Sequence, residues 1–496
     1  MSLHRRLSLH LGILLLAAAL RFMAQGQAVR FHPDEALFAT FARNAAVQGA
    51  WMLPGALDKP PLAIYGQAVS LMLWGVQPLP DGVLTLDAHQ GEFAIRVLGT
   101  FISLLTVAAL GSLAQRLYQH HSQHLSTFTL LIASLSPLLI VFSPTGFTDG
   151  LLLLYVVFAL RSVTVGHWGW AGIGMGLAFW SKQQALFILP LLVALGWLTT
   201  PQGSIRVHGI QLIRFGAPVI LGVISLALWD AARAMETSLW DLAFVNNQPG
   251  RLISGDTLLP RLLIWLEDGQ YVFGEAGVAL LLCIVIGAGF YFHLQQRATS
   301  WALDALLMGF VLLYSLLHVL FINLYDRYWL LLVPVLVLLL AQGILALEQQ
   351  FKHGRWIPLV VIVLLLPGAL AAAQLRLPVG GDQYQHQGID RVARYLDTRT
   401  LGAIIYDRWL GWELGYYLGT WSDKRRVYFP TTAELIQGSL AQRDGAPRYW
   451  VAPNWEDSRK WLAGLAHVGF RIELMYAADS FRVWRLLPPW AEYLTR

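Results

Sequence analysis

The sequence predicts a polytopic α-helical membrane protein followed by a soluble α/β domain. Of its 496 residues, 56% are hydrophobic and only 13% charged, against about 45–50% apolar and about 25% charged in ordinary soluble domains. About eleven segments read as membrane spans, a bilayer core requiring roughly 20 mostly apolar residues per helix. From about residue 376 charges return and apolar runs shorten. Periodicity within the spans is uninformative, because a helix surrounded by lipid and other helices is apolar all round.

The first apolar segment, residues 7–24, follows Arg5-Arg6. A basic pair before a short apolar run is also the pattern of a cleavable signal. The chain that follows needs a first anchor and the cleavage signal is weak, so we read a retained helix. Further spans are expected at 93–117, 125–142, 149–163, 168–181, 184–199, 211–232, 276–295, 301–322, 328–348 and 356–375. With the N-terminus inside, the cytoplasmic loops carry Arg5-Arg6, Arg116 with His120, His121 and His124, Arg161, Arg206, Arg297, and Lys352 with Arg355. That distribution agrees with the positive-inside rule. An odd number of spans then places the C-terminus, together with Asp34, Asp58, Lys59, Asp149, Lys182 and Arg327, on the non-cytoplasmic side.

Two domains are expected, a transmembrane domain over 1–375 and a non-cytoplasmic soluble α/β domain over 376–496. The first outer loop, 25–92, has helical character. Pro33 suits a first helical position, where a missing N–H costs nothing, and Asp34-Glu35 follow in the turn that favours negative charge. Residues 61–74 are apolar but shorter than a span and read as a helix lying in the membrane interface. The second outer loop, 233–275, carries Trp240, Asn246, Asn247, Arg251, Trp265, Glu267 and Asp268; loops of this length are commonly functional. In the C-terminal domain we expect strands near 402–407, 425–429, 447–452, 469–476 and 480–486, and helices near 387–397, 431–441 and 455–466.

The formal net charge is +5, and no basic run points to nucleic acid. Cys283 is the only cysteine, so no intrachain disulfide or multi-cysteine metal site can form. The histidines show no ligand spacing such as HExxH, and no Gly-rich phosphate loop precedes a helix. His318, within an apolar span, reads as a packed, hydrogen-bonded side chain.

Five places carry chemistry that simple structure would also explain. Asp34 is a candidate general base, a role that needs a positioned carboxylate; Pro33-Asp34-Glu35 is equally a favourable helix start. Lys59, following Asp58 and preceding Pro60-Pro61, is a candidate phosphate ligand near a helix terminus or an interfacial lysine reaching headgroups. Asp149, in Thr148-Asp149-Gly150, reads most simply as a helix N-cap. Lys182 interrupts an apolar stretch long enough for one overlong helix, and ionisable groups at such breaks are costly; a plain hairpin turn is the bland alternative. Arg327, in Asp326-Arg327-Tyr328, can clamp a phosphate or pair with Asp326.

Taken together and in order, these residues resemble the membrane-embedded C-type glycosyltransferases that use polyprenyl-phosphate sugars. The resemblance is to the protein mannosyltransferases and the aminoarabinose transferases that modify lipid A in particular. It rests on Asp34-Glu35 after the first span, Asp58-Lys59-Pro60 in the same loop, Thr148-Asp149 opening a later span, Ser181-Lys182 where the family has a Thr-Lys-Gly turn, and Arg327-Tyr328 before a late span. It covers about residues 5–350. The resemblance implies a GT-C-like fold in which Asp34 is the catalytic base, supported by Glu35, Asp58 and Asp149. Lys59, Lys182, Arg327 and Tyr328 would then contact the donor phosphate. Position 58 is often glutamate in the family, where a divalent metal is associated with some members. Asp58 here, and the lack of histidine in 233–275, leave that metal open, and no cofactor is required by the sequence.

The implied partners are the lipid bilayer, a polyprenyl-phosphate-linked sugar and an acceptor lipid, protein or glycan. The implied reaction is inverting transfer to an acceptor hydroxyl at the outer face. The alternative is a polytopic transporter or lipid flippase, which would have repeated halves with broken helices; only one break, at Lys182, is visible.

Overall fold

The computed structural model describes residues 3–118, 124–199, 205–247, 255–296, 301–381 and 384–490. His120, His121, Arg251 and Arg297 lie outside the described residues, as does the side chain of Arg206.

The chain opens with α1 (Leu3–Gln25), α2 (Pro33–Gln48) and α3 (Leu62–Trp74), then a short hairpin of β1 (Val76–Pro78) and β2 (Leu84–Leu86). There follow α4 (Ala88–Leu117), α5 (His124–Leu135), α6 (Pro137–Val141), α7 (Asp149–Thr164), α8 (Trp168–Ser181) and α9 (Leu189–Thr199). A tight 3-10 turn over Gln183–Ile188 joins α8 to α9. Next come α10 (Ile205–Ala232), α11 (Leu239–Asn247), α12 (Gly255–Gln270), α13 (Ala276–Gln295), α14 (Trp301–Phe321), α15 (Val333–Gln350) and α16 (Ile357–Ala373). The C-terminal part runs α17 (Ile389–Asp397), β3 (Ile404–Asp407), α18 (Gly411–Tyr417), β4 (Arg425–Tyr428), α19 (Thr432–Ala441), β5 (Arg448–Pro453), α20 (Arg459–His467), β6 (Arg471–Ala478) and β7 (Phe481–Leu487).

Among the described residues, seven helices are long and apolar enough to cross a membrane. The expected span at 125–142 is broken by Pro137, which opens α6 and cannot continue the helix before it. Those at 149–163, 168–181 and 184–199 are helices of 16, 14 and 11 residues. Length and composition therefore do not establish eleven crossings.

The described residues form two compact units. One comprises residues 1–27, 52–66 and 96–380, the other 28–51, 67–95 and 381–496. The second thus joins residues 381–496 to α2 and the β1–β2 hairpin, with 376–380 in the first unit.

In the first unit, α8 packs against α7 and α10, and α13 against α15. The last pair is close because neither helix has a side chain at the crossing. A Cβ on Gly289 would lie 2.4 Å from the Cα of Gly343. Small residues of this kind let apolar helices gain dispersion contact where no hydrophobic drive exists between them.

In the second unit, a five-stranded sheet has the order β4-β3-β5-β7-β6. β4, β3 and β5 are parallel, while β7 pairs antiparallel with β5 and β6. β3 and β5 are buried along their whole length, as central parallel strands must be. Tyr406, Trp450, Trp461 and Leu465 form the core on one face.

Substituting Gly289→Val would force α13 and α15 apart, a cost of about 1–3 kcal/mol for overpacking. Gly287, with open space at its Cβ position, should accept alanine. Thermal unfolding in detergent would compare the two variants.

Candidate functional site

In the first unit, the residues singled out by sequence gather around one break in the helices. Helix α8 ends at Ser181, and Lys182 has extended backbone, so its side chain leaves the helical row. Its ammonium donates to Asp149 Oδ1 at 2.6 Å, and both side chains are buried. Asp149 is the first residue of α7 rather than its cap, which corrects the N-cap reading: Thr148 holds the cap position, and the Asp149 carboxylate faces Lys182. Lys182 also lies over the Tyr328 ring, 4.9 Å from its centre.

The next residue ties this break to the other lysine. Gln183 Nε2 donates to the carbonyl of Asp58 at 2.9 Å. Gln183, standing where the Thr-Lys-Gly turn of the resemblance has glycine, thus has a structural use. Lys59 pairs with the Asp58 carboxylate, and Asn246 from α11 donates to the same oxygen at 3.1 Å. Arg233, at the end of α10, grips the loop leading to them by donating to the carbonyls of Leu53 at 2.9 Å and Gly55 at 2.6 Å, while pairing with Asp230. Leu53 has φ 49, a left-handed conformation rare for a side chain of its size, and this grip holds it.

Arg327 completes the group. Its guanidinium stacks over Phe147 at 4.8 Å and Tyr325 at 4.6 Å. Its neighbour Asp326 accepts from the backbone N–H groups of Arg327 and Gly380 at 2.6 and 2.8 Å. Both Lys59 and Arg327 act on the Lys182 ammonium by charge repulsion. Three cations and three carboxylates, Asp58, Asp149 and Asp326, therefore occupy one region. Asp268 in α12 has its carboxyl pushed up to about 7 by burial and by the charges of Asp326 and Glu267.

Sequence reasoning did not single out Arg233 or Gln183 as partners of this site. No local motif marks either one, because their targets are backbone carbonyls far away in sequence. His318 is packed as expected: its Nδ1 faces the Tyr314 carbonyl at 2.9 Å, and its ring stacks on Tyr314 and Trp265.

Asp34 and Glu35 belong to the second unit. The start of α2 is a reciprocal cap: the Asp34 N–H donates to His32 Nδ1 at 3.0 Å, and Glu35 accepts from the His32 N–H at 3.1 Å. Pro33 takes the first turn, and Gly49 closes the helix with φ 73. Glu35 is buried in this capping role, while Asp34 is half-buried. Helix α18 packs against α2. Arg43 donates to the carbonyls of Tyr416 at 2.7 Å and Gly415 at 3.2 Å, placing a cation at the negative end of α18.

On α18, Glu413 is fully buried, and among the described residues no other residue donates a hydrogen bond to its carboxyl, whose ionisation is eased only by its own backbone N–H. His386 Nδ1 is 3.5 Å from Glu413 Oε1, beyond good hydrogen-bond range. Burial, reinforced by the negative charges of Asp407 and Asp34, pushes the Glu413 carboxyl up to about 8. Burial also raises Asp407 to about 6, opposed by the N–H of Leu410 and by Arg426.

Among the described residues, no group of three His, Cys, Asp or Glu side chains converges to hold a metal ion. Asp58, where the resemblance left a metal open, contacts Lys59 and Asn246.

The fold, a multi-pass helical membrane architecture with a C-terminal sheet, is shared with the solved structures of ArnT and of an archaeal oligosaccharyltransferase. The structure of ArnT from Cupriavidus metallidurans bound to undecaprenyl phosphate superposes with a TM-score of 0.63 at 16% identity, covering 98% of each chain. The Archaeoglobus fulgidus oligosaccharyltransferase in complex with Zn and sulfate superposes with a TM-score of 0.55 at 10% identity, over 96% of this chain and 72% of that one. AglB from the same organism, with an inhibitory peptide and a dolichol-phosphate, gives 0.53 at 10% identity, over 96% and 74%. No protein-family model and no curated protein matches the sequence.

Two outcomes follow from the buried charges. Asp149→Ala leaves the Lys182 ammonium buried without its carboxylate and should cost about 3–5 kcal/mol. The double variant Asp149→Leu/Lys182→Met should regain most of that stability in thermal unfolding. For Glu413, the folded protein holds a proton that the unfolded chain releases near pH 4.5, so stability is lost as pH rises from there to about 8. Glu413→Gln should unfold at a higher temperature than wild type at pH 8, with the difference vanishing toward pH 4.5.

Proposed function

We propose that the protein transfers a sugar from a polyprenyl-phosphate donor to an acceptor hydroxyl, with inversion, on the non-cytoplasmic side of the membrane. The observation that supports this reading most directly is the set of Lys59, Lys182 and Arg327 held in one unit around a helix break. An ionised phosphate is the chemistry that such a set suits, with the guanidinium able to present paired donors. The likeness in fold to structures that hold undecaprenyl phosphate and dolichol-phosphate supports the same donor class.

In the reaction, Asp34 accepts the proton of the acceptor hydroxyl as its oxygen bonds to the anomeric carbon. The bond from that carbon to the phosphate oxygen breaks, and polyprenyl phosphate leaves with the electron pair. The phosphate is a good leaving group and needs charge stabilisation more than a general acid; Lys59, Lys182 and Arg327 supply it, with Tyr328 packed beneath Lys182. Asp58 and Asp149 hold the lysines in place. Glu35 is committed to the α2 cap, so a second nucleophilic carboxylate next to Asp34 is not provided by that residue, which favours single displacement. The sugar, hexose or pentose, is set by contacts outside this chemistry.

Transfer is tested by incubating purified protein with radiolabelled polyprenyl-phosphate sugars and membrane extract. Asp34→Asn should reduce transfer by about 10²–10⁴-fold, the usual contribution of a general base, while undecaprenyl phosphate still binds. Arg327→Ala should lower the rate by roughly 10²–10³-fold. Full activity in Asp34→Asn would sink the assignment, and solute or lipid movement without label transfer would favour a transporter.

A further inference from the structure

The carboxyl ends of the parallel strands in the second unit carry an unusual amount of exposed aromatic surface. Trp409, just after β3, is 64% exposed, Tyr428 at the end of β4 is 48% exposed, and Trp455 beyond β5 is 47% exposed. Aromatic side chains are costly to leave in water, and a cluster of them at one place on a surface marks an interaction site. In open α/β sheets ligands bind outside the carboxyl ends of the parallel strands, which is where these rings stand.

The polar groups between the rings narrow the ligand. Trp409 and Tyr428 contact each other with centres 5.7 Å apart. Arg408 lies 5.7 Å from the centre of the Trp409 ring and pairs with Glu456 at 2.7 Å. Glu456 follows Trp455 directly, so the Arg408–Glu456 pair links the two aromatic platforms. A nucleic acid would call for a basic face, and a lipid surface for an apolar face bordered by lysine and arginine. Here a carboxylate and a guanidinium alternate with flat rings. A pyranose has this complementary form: its axial C–H groups make an apolar face, and its rim is hydroxyls that both donate and accept. Rings with an apolar body suit the face, and the Arg408–Glu456 pair suits the rim.

This cluster is linked to the start of α2 by packing through the buried His386. Trp455 contacts the His386 ring edge-on at 5.7 Å, and His386 contacts the His32 ring at 5.8 Å. His32 is the residue whose Nδ1 accepts from the Asp34 N–H. Two ring-to-ring contacts therefore separate an exposed tryptophan from the cap that fixes Asp34.

We propose that the carboxyl ends of β3, β4 and β5 form the acceptor subsite, and that the acceptor is a saccharide. Trp409 and Trp455 stack on its rings, Arg408 and Glu456 bind its hydroxyls, and its reactive hydroxyl points toward Asp34. This rests on the reading of Asp34 as the base.

The full-length protein in lipid nanodiscs is applied to an array of neutral, amino and phosphorylated oligosaccharides and, in parallel, to an array of peptides. The wild-type protein should be retained on at least one saccharide class. Trp409→Ala and Trp455→Ala should each weaken that retention about tenfold or more, and Trp455→Phe should restore most of it. Asp34→Asn, expected to be impaired in transfer, should be retained as wild type. No saccharide retention, retention on peptides alone, or retention unchanged in a Trp409→Ala/Trp455→Ala double variant would overturn the proposal. These binding outcomes are separate from label transfer. Asp34-dependent transfer without saccharide retention would remove the subsite and leave the glycosyltransferase reading standing. Saccharide retention with undiminished transfer in Asp34→Asn would remove that reading, and with it the acceptor role of the subsite.

Discussion

The ion pair between Lys182 and Asp149 is the interaction on which the first unit depends. An ammonium and a carboxylate removed from water are each expensive, and their attraction repays the cost only when geometry is good and other groups support them. A continuous helix from α8 into α9 would carry Lys182 along the helix row. The extended residue at 182 and the tight turn after it free the side chain to reach the start of α7. Once the turn exists, Gln183 is free to bond the Asp58 carbonyl. Arg233, anchored by Asp230, holds the other end of that loop through Leu53 and Gly55. The pair thus fixes a helix break, and the break places a second lysine.

The second unit uses the opposite device. Among the described residues Glu413 has no lysine or arginine ion-pair partner, only His386 at 3.5 Å, and it keeps its proton instead. A neutral carboxyl is far cheaper to bury than an ionised one. Its neighbours Asp34 and Asp407 reinforce that choice, so three acidic side chains coexist where three full charges would repel. Arg43, set against the last carbonyls of α18, fixes the packing of α18 on α2. That packing brings Glu413 within the field of Asp34.

The parts of this architecture legible in sequence are those governed by local rules. Pro33 and the acidic pair after it announced the start of α2, and the Thr148-Asp149 step announced the start of α7. All five C-terminal strands were visible as short apolar runs between turns, and the helix ending at Ser181 was visible as a charge within an apolar stretch. Helix α18 was missed because Gly411, Gly415 and two adjacent tyrosines carry little helical signal. The nine-residue α11 and the amphipathic α12 were read only as a long loop. What sequence could not supply was partnership: whether Asp149 capped its helix or met Lys182, and what Gln183 was for. Both depend on residues 33 and 125 positions away. The grouping of α2 with the C-terminal sheet was equally hidden, since it arises from packing between segments nearly 400 residues apart.

The arrangement of charges also bears on how such a site would favour reaction over mere binding. At rest, Lys59 and Lys182 are matched by Asp58 and Asp149, so the region is not strongly positive. A polyprenyl-phosphate sugar is a phosphodiester and carries one negative charge, whereas the departing monoester gains a second as the glycosidic bond breaks. Cations already fixed in place gain more from that growing charge than from the donor itself, which is the condition for stabilising a transition state over a ground state. Fixing them with carboxylates costs some ground-state attraction for the donor. It also removes the reorganisation that free lysines would need at the moment of bond cleavage. Under the proposed reading, the buried pair that shapes the helix break is therefore the same device that keeps its lysine ready for the leaving phosphate.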